Sequence, residues 1–274
     1  MEHVVRKLNS LRRFVSVRVW LSRFGDGVIS LFSNSGGVVY LFCDTLTALF
    51  KTPLRWKATL DQMNKIGVLS FPLVFLTALF TGVVLSLQSA YQLKLFAAVQ
   101  FTADLVALSV VRELGPVLTS MVVAGRVGAS IAAELGTMKV TEQIDAMRAL
   151  AVNPVRYLVV PRFLAAIFML FILTIYADFV GILGGYLIAI FKLGMSPHIY
   201  LKRSITAMMP KDILTGLIKS FFFGGIISIV GCYFGFGAKN GAEGVGRATT
   251  LAVVVSLVLI IASDAVFTAI FYFF

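Results

Sequence analysis

The sequence predicts an all-α integral membrane protein. N-terminal interfacial helices precede five transmembrane helices, with a short cytoplasmic helix between the second and third. Three observations carry that expectation. The 274 residues are 59% hydrophobic and only 14% charged, whereas a soluble domain is about a quarter charged. Five apolar runs each approach or exceed the ~20 residues that a crossing helix needs. The basic residues also sort to alternating sides of those runs, as the positive-inside rule requires. No length remains for a sizeable soluble domain. The expected division is 1–65, a basic tail with interfacial helices, and 66–274, a five-span bundle.

Residues 4–24 set Arg6, Lys7, Arg12, Arg13, Arg18 and Arg23 around an apolar stripe of Leu8, Leu11, Val15 and Val19. That spacing predicts a basic amphipathic helix lying in the headgroup region. Residues 27–50 are long enough to span, but Asn34, Gly36, Gly37 and Asp44 interrupt them. Basic residues also flank both ends: the Arg-rich tail before, then Lys51, Arg55, Lys57 and Lys65. A crossing here would put one basic segment on the wrong side, so an interfacial or re-entrant helix is expected.

The five expected spans are 66–87, with Pro72 near its start, then 105–133, 163–191, 213–236 and 250–274. With the N-terminus cytoplasmic, the loops near 134–162 and 237–249 are cytoplasmic too, and they hold Lys139, Arg148, Arg156, Arg162, Lys239 and Arg247. An odd number of spans places the C-terminus outside. Gly125, Gly128 and Ala132, Gly181 with Gly185, and Gly231 with Gly235 recur at small-xxx-small intervals that permit close helix approach, within the bundle or between two copies.

The polar loop ELGTMKVTEQIDAMRALAVNP, residues 134–154, predicts a helix over 141–151. Thr141 is placed to N-cap it and Glu142 to meet the positive end of its dipole. Ile144, Met147, Leu150 and Ala151 share one face, Gln143 and Arg148 point elsewhere, and Asn153-Pro154 ends it. Such a helix either plugs into a groove on a separate cytoplasmic protein or lies on its own bundle.

Several chemistries are excluded. The net charge of +11 points to anionic lipid rather than to nucleic acid in so apolar a chain. His3 and His198 are the only histidines, and Cys43 and Cys232 have neither metal-ligand nor disulfide spacing, which leaves them as packed small hydrophobes. There is no phosphate-binding Gly-rich loop with Lys-Ser/Thr. The chain is therefore not expected to be an enzyme, and energy must come from a partner or an ion gradient.

Charges inside spans are functional-site candidates. Arg112 and Glu113 precede Gly115-Pro116 near the outer end of the second span. They form either a neutralised anchor pair or a polar patch at a cavity mouth, where Arg112 attracts a phosphate and Glu113 fixes it. Gln88 and Tyr91 would complete the polar rim, with Leu85 and Leu87 as apolar wall. Asp178 and Asp264 sit mid-span, as proton carriers of an ion-coupled carrier or as structural groups protonated or hydrogen-bonded in the bundle. Arg126 snorkels or pairs with Glu134.

The phrases ELGPV, AGRVGA, AELGTM, TEQIDA and AVNPVRYLVVPR, all within 112–162, closely resemble the signature of the MlaE-type permeases. Weaker similarity runs from about residue 27 to the C-terminus through NGAEGVGRATT. The resemblance implies the membrane subunit of an ABC transporter that moves lipids, phospholipids or in some branches sterol-like lipids. It implies a homodimer in the bacterial inner membrane, with cytoplasmic ATPase subunits that bind ATP and Mg. An MCE-domain (MlaD-like) protein would dock on the outer side, and a small STAS-domain (MlaB-like) protein would join through the ATPase. In that setting 141–151 becomes the coupling helix, and Thr141, Glu142, Ile144, Asp145, Met147, Arg148 and Leu150 would engage the ATPase, with Glu243 and Arg247 assisting. The resemblance favours Arg112 and Glu113 as substrate ligands. Arg126, Glu134, Asp178 and Asp264 take structural or coupling roles. A non-transporting anchor for MCE proteins is the remaining alternative.

Overall fold

The computed structural model describes residues 36–51 and 55–273. The amphipathic helix expected over 4–24 lies outside them, as does the start of the 27–50 segment. The chain divides into a unit up to Asp44 and a second from Thr45 onward. Residues 36–51 are helical (α1). The second unit then runs through α2 (Trp56–Ile66), α3 (Phe71–Lys94), α4 (Thr102–Ser109), α5 (Gly115–Val123) and α6 (Ala129–Val140). It continues through α7 (Gln143–Ala149), α8 (Val160–Phe191), α9 (Pro197–Ala207), α10 (Pro210–Phe236) and α11 (Gly241–Phe273). No strand occurs among the described residues.

These helices join into five membrane-length rods: Trp56–Lys94, Val99–Val140, Val155–Phe191, Pro210–Phe236 and Gly241–Phe273. The rods match the five expected spans, and all but the fourth are clearly longer than the apolar runs alone indicated. Polar turns at their ends continue the helix beyond the hydrocarbon. Pro72, Pro197 and Pro210 mark helix starts: they fall in first turns, where the missing N–H has little to lose. Pro161 instead follows the π-turn Val155–Val159 inside the third rod.

The second rod is segmented. Val110–Leu114 and Ala124–Gly128 are π-helical, and so is Val155–Val159 at the start of the third rod. Pro116 explains the first of these, because it can donate no hydrogen bond to the Arg112 carbonyl four residues back. The wider turn absorbs the mismatch, and Gly115 N–H bonds to the Val110 carbonyl instead.

The third rod is the core. Of its most apolar stretch 72% is buried, against 17% and 11% for the first and last rods, whose outer faces are uncovered in the single chain. Helix α8 packs on α3, α10 and α2, and α10 packs on α11, α6 and α5. Glycine makes the α3–α8 contact possible: a Cβ at Gly82 would run into the Gly181 carbonyl, and one at Gly184 into the Leu79 carbonyl. The small residues at 181, 185, 231 and 235 thus serve packing inside the bundle. Cys232 is buried as expected, whereas Cys43 is exposed.

Candidate functional site

The π-turn carries Arg112 and Glu113 in succession, yet they do not pair with each other. Arg112 reaches α10, where Nη2 and Nε lie 2.7 and 2.8 Å from Asp212 Oδ1. Asp212 is 5% exposed and also accepts the Met209 N–H at 2.9 Å, closing the first turn of α10. Glu113 instead meets Lys219 of α10, Nζ to Oε2 at 2.6 Å. Of the two alternatives, the local Arg112–Glu113 anchor pair is not what forms, because adjacent helical residues diverge by about 100° and each finds a different partner.

Lys219 is 1% exposed, and four groups compensate its charge. Besides Glu113, its ammonium lies 2.9 Å from Asp264 Oδ1 and donates to Thr268 Oγ1 at 2.7 Å and to the Arg112 carbonyl at 3.3 Å. That carbonyl is the one Pro116 leaves free. Thr268 donates in turn to Glu113 Oε1 at 3.1 Å. Asp264 and Thr268 are one turn apart on α11, so a single lysine ties the second, fourth and fifth rods together. An ionised group buried this deeply is tolerated only when fully paired.

These residues line a cavity of about 230 Å³. Arg112, Glu113, Asp212, Lys219 and Thr268 form the polar side with Lys211 and Thr215, while Met209, Phe271 and Tyr272 form the apolar side. Arg112 and Glu113 keep about half their side-chain surface open, at 51% and 41%, whereas Asp212 and Lys219 are held behind them at 8% and 2%. Gln88, Tyr91, Leu85 and Leu87 are not brought to this cavity. Tyr91 is 74% exposed on α3, Leu87 and Gln88 are exposed, and Leu85 is half-buried.

Sequence reasoning missed Lys219, Asp212 and Thr268. The signal was present: Lys219 interrupts the apolar run ILTGLIKSFFFGG, an intramembrane charge that demands a partner. Asp178 is 9% exposed, its Oδ1 has no hydrogen-bond partner among the described residues, and it abuts Gly115.

The opposite end carries a second ionic network. Glu134 bridges Lys65 at 3.1 Å and Arg162 at 2.9 Å, joining α6 to α2 and α8. Arg126 does not pair with Glu134: Nη1 donates to Ser70 Oγ at 2.6 Å. Between α6 and α8 sits α7, shorter than expected. Thr141 is the C-cap of α6, its hydroxyl bonded to the Thr137 carbonyl, rather than the N-cap of α7. Glu142 takes a left-handed turn at φ 59° ahead of the helix instead of joining its first turn. The helix ends at Ala149, and past it Ala151 is also left-handed, with the Ala151 and Val152 N–H groups bonded back to the Arg148 and Met147 carbonyls. Asn153 therefore does not end α7. Its Oδ1 accepts the Val155 N–H at 2.9 Å and opens the next helical segment.

Ile144 is 1% exposed and anchors α7 to the bundle, so it offers no outward docking surface. Met147 is half-buried, and Arg148 and Leu150 are exposed, Leu150 at 77%. Asp145 is gripped by Lys139 Nζ at 2.7 Å, with Arg148 at 3.6 Å. The Lys139 hydrogen bond holds its carboxyl below the ordinary 3.8.

Five packed rods, a charged cavity set into them and a short helix projecting at the other end define a multi-pass membrane protein of the permease class. A family model described as Permease MlaE matches residues 59–270. A probable ABC transporter permease protein of Rickettsia prowazekii is 46% identical over 242 residues, covering 88% of this chain and 93% of the relative. The intermembrane phospholipid transport system permease protein MlaE of Haemophilus influenzae is 33% identical over 254 residues, 92% and 97% of the two chains. The chloroplastic protein TRIGALACTOSYLDIACYLGLYCEROL 1 of Arabidopsis thaliana is 38% identical over 224 residues, 82% and 64%. The chain belongs to the MlaE permease family and is an ABC transporter permease, not an ATPase.

Proposed function

We propose that the chain is the lipid-conducting subunit of an ATP-driven transporter, working as a homodimer in a bacterial inner membrane and handing phospholipid to or from an MCE-domain protein. The cavity of Arg112 and Lys219 is the observation that supports this reading. It combines a half-open guanidinium with Met209, Phe271 and Tyr272, which suits a phosphate headgroup whose chains stay in the apolar surround. Its ~230 Å³ falls below the ~300–1,000 Å³ of a drug-sized ligand site, so it fits a headgroup and not a whole lipid. The name of the Haemophilus relative, with its intermembrane phospholipid transport, points the same way.

ATP and Mg would be held by a separate ATPase subunit seated under α7, where Leu150, Met147 and Arg148 form the contact, with a STAS-domain protein reached through that ATPase. The N-terminus would be cytoplasmic and the C-terminus periplasmic. Co-reconstitution with the ATPase and fluorescent phospholipid tests the proposal: transfer should require ATP and fall at least tenfold in Arg112→Gln. Transfer without the ATPase that is lost in Asp178→Asn would instead establish an ion-coupled carrier.

A further inference from the structure

Helix α9 lies at the end of the bundle opposite α7, between the third and fourth rods. At about 100° per residue, Tyr200 and Ser204 mark one side, and both are buried, at 0% and 2% exposure. Tyr200 packs edge-on to Tyr186 and donates to the Ile182 carbonyl at 3.2 Å. One flank is partly occupied: Arg203 pairs with Asp104 at 3.3 Å and sits 4.3 Å over the Phe101 ring, which leaves Ile199 as the one large apolar residue open there, at 47%. The other flank is open. Leu201 and Ile205, one turn apart, are 48% and 67% exposed, and Lys202 projects directly away from the buried side.

Two features identify what covers that flank. Between Asp178 and Asp212 the chain has Lys192, Lys202, Arg203 and Lys211 and no acidic residue. Phe191, Leu95 and Phe96 are exposed as well, at the same end of the rods. An apolar flank beside lysines that have no ion-pair partner among the described residues complements an anionic lipid surface at that level.

We propose that α9 is an in-plane membrane anchor in the leaflet opposite α7. The Leu201–Ile205 flank sits in the acyl boundary, and Lys202 and Lys192 rest on anionic headgroups. The anchor operates whichever cargo the cavity takes. Met209 and Lys211, which follow α9, line the cavity of Arg112 and Lys219, so lipid held on this flank lies beside the cavity wall.

The test uses the full chain in nanodiscs of phosphatidylcholine and phosphatidylglycerol. Trp20 and Trp56 are the only tryptophans. Both are replaced by Phe, and a single reporter is placed by Ile205→Trp or, on the opposite flank, by Thr206→Trp. Lipids brominated near the acyl boundary should quench the reporter at 205 at least twice as strongly as that at 206. Brominated phosphatidylglycerol should quench the reporter at 205 about twice as well as brominated phosphatidylcholine, and Lys192→Gln with Lys202→Gln should erase that preference. A second reporter, Leu201→Trp, repeats the measurement should Ile205→Trp fold poorly. Equal quenching at 205 and 206 overturns the proposal, since the Leu201–Ile205 flank would then be no closer to the acyl boundary than the opposite one. No preference between the two lipids overturns it as well.

Discussion

The Lys219 ammonium and the Glu113 carboxylate meet at 2.6 Å across two rods of the bundle, and Glu113 is the exposed half of that pair. One charge is held by the fold and the other is offered to the cavity. Removing the buried partner should therefore act on stability, and removing the open ones on cargo too.

Lys219→Met leaves Glu113 and Asp264 facing each other without a cation, and should destabilise the chain by roughly 3–5 kcal/mol, the usual cost of breaking a buried pair. Adding Glu113→Gln and Asp264→Asn should recover most of that loss. Thermal unfolding in detergent checks both steps.

Arg112→Gln keeps a hydrogen bond to Asp212 possible while removing the open guanidinium. Bound phospholipid per purified chain should fall several-fold by mass spectrometry, and the melting temperature should fall as well, because the buried Asp212 carboxylate loses its charged partner.

The two apolar residues of α7 should separate cleanly. Leu150→Asp, on a side chain 77% exposed, should leave stability within about 0.5 kcal/mol and abolish association with the ATPase subunit. Ile144→Asp should unfold or severely weaken the chain, because the site is closed to water. Pull-down and melting measured together distinguish the outcomes.

Asp145 supplies a pH signature. Its folded-state pKa lies below the ordinary 3.8 because Lys139 hydrogen-bonds the carboxylate. The stabilisation is then complete above about pH 3.8 and is lost as pH falls through the lower, folded value. The difference in melting between the native chain and Asp145→Asn should be constant from pH 7 to about 4 and shrink below that.

Glycine substitutions should split by what their Cβ meets. Gly82→Ala drives a methyl into the Gly181 backbone and should cost about 1–3 kcal/mol by overpacking. Gly125→Ala meets nothing within 4 Å and should be neutral or stabilising by up to about 1 kcal/mol. Melting of the two variants side by side decides it.

The five rods were legible in the chain because hydrocarbon imposes one dominant requirement, a run of apolar residues with every backbone group bonded within the helix. The family signature over 112–162 likewise stood in the linear text. Partner choice was not legible. Arg112 bonds to a residue 100 positions away and Glu113 to one 106 away, and only the packing of the second rod against the fourth brings those groups together. The same packing decided that Ile144 faces the bundle while Leu150 faces out: six residues set them about 120° apart on a helical wheel, and Leu150 already lies past the end of α7. Apolar spacing shows which residues avoid water; which of them find cover within the chain depends on what the tertiary fold sets opposite.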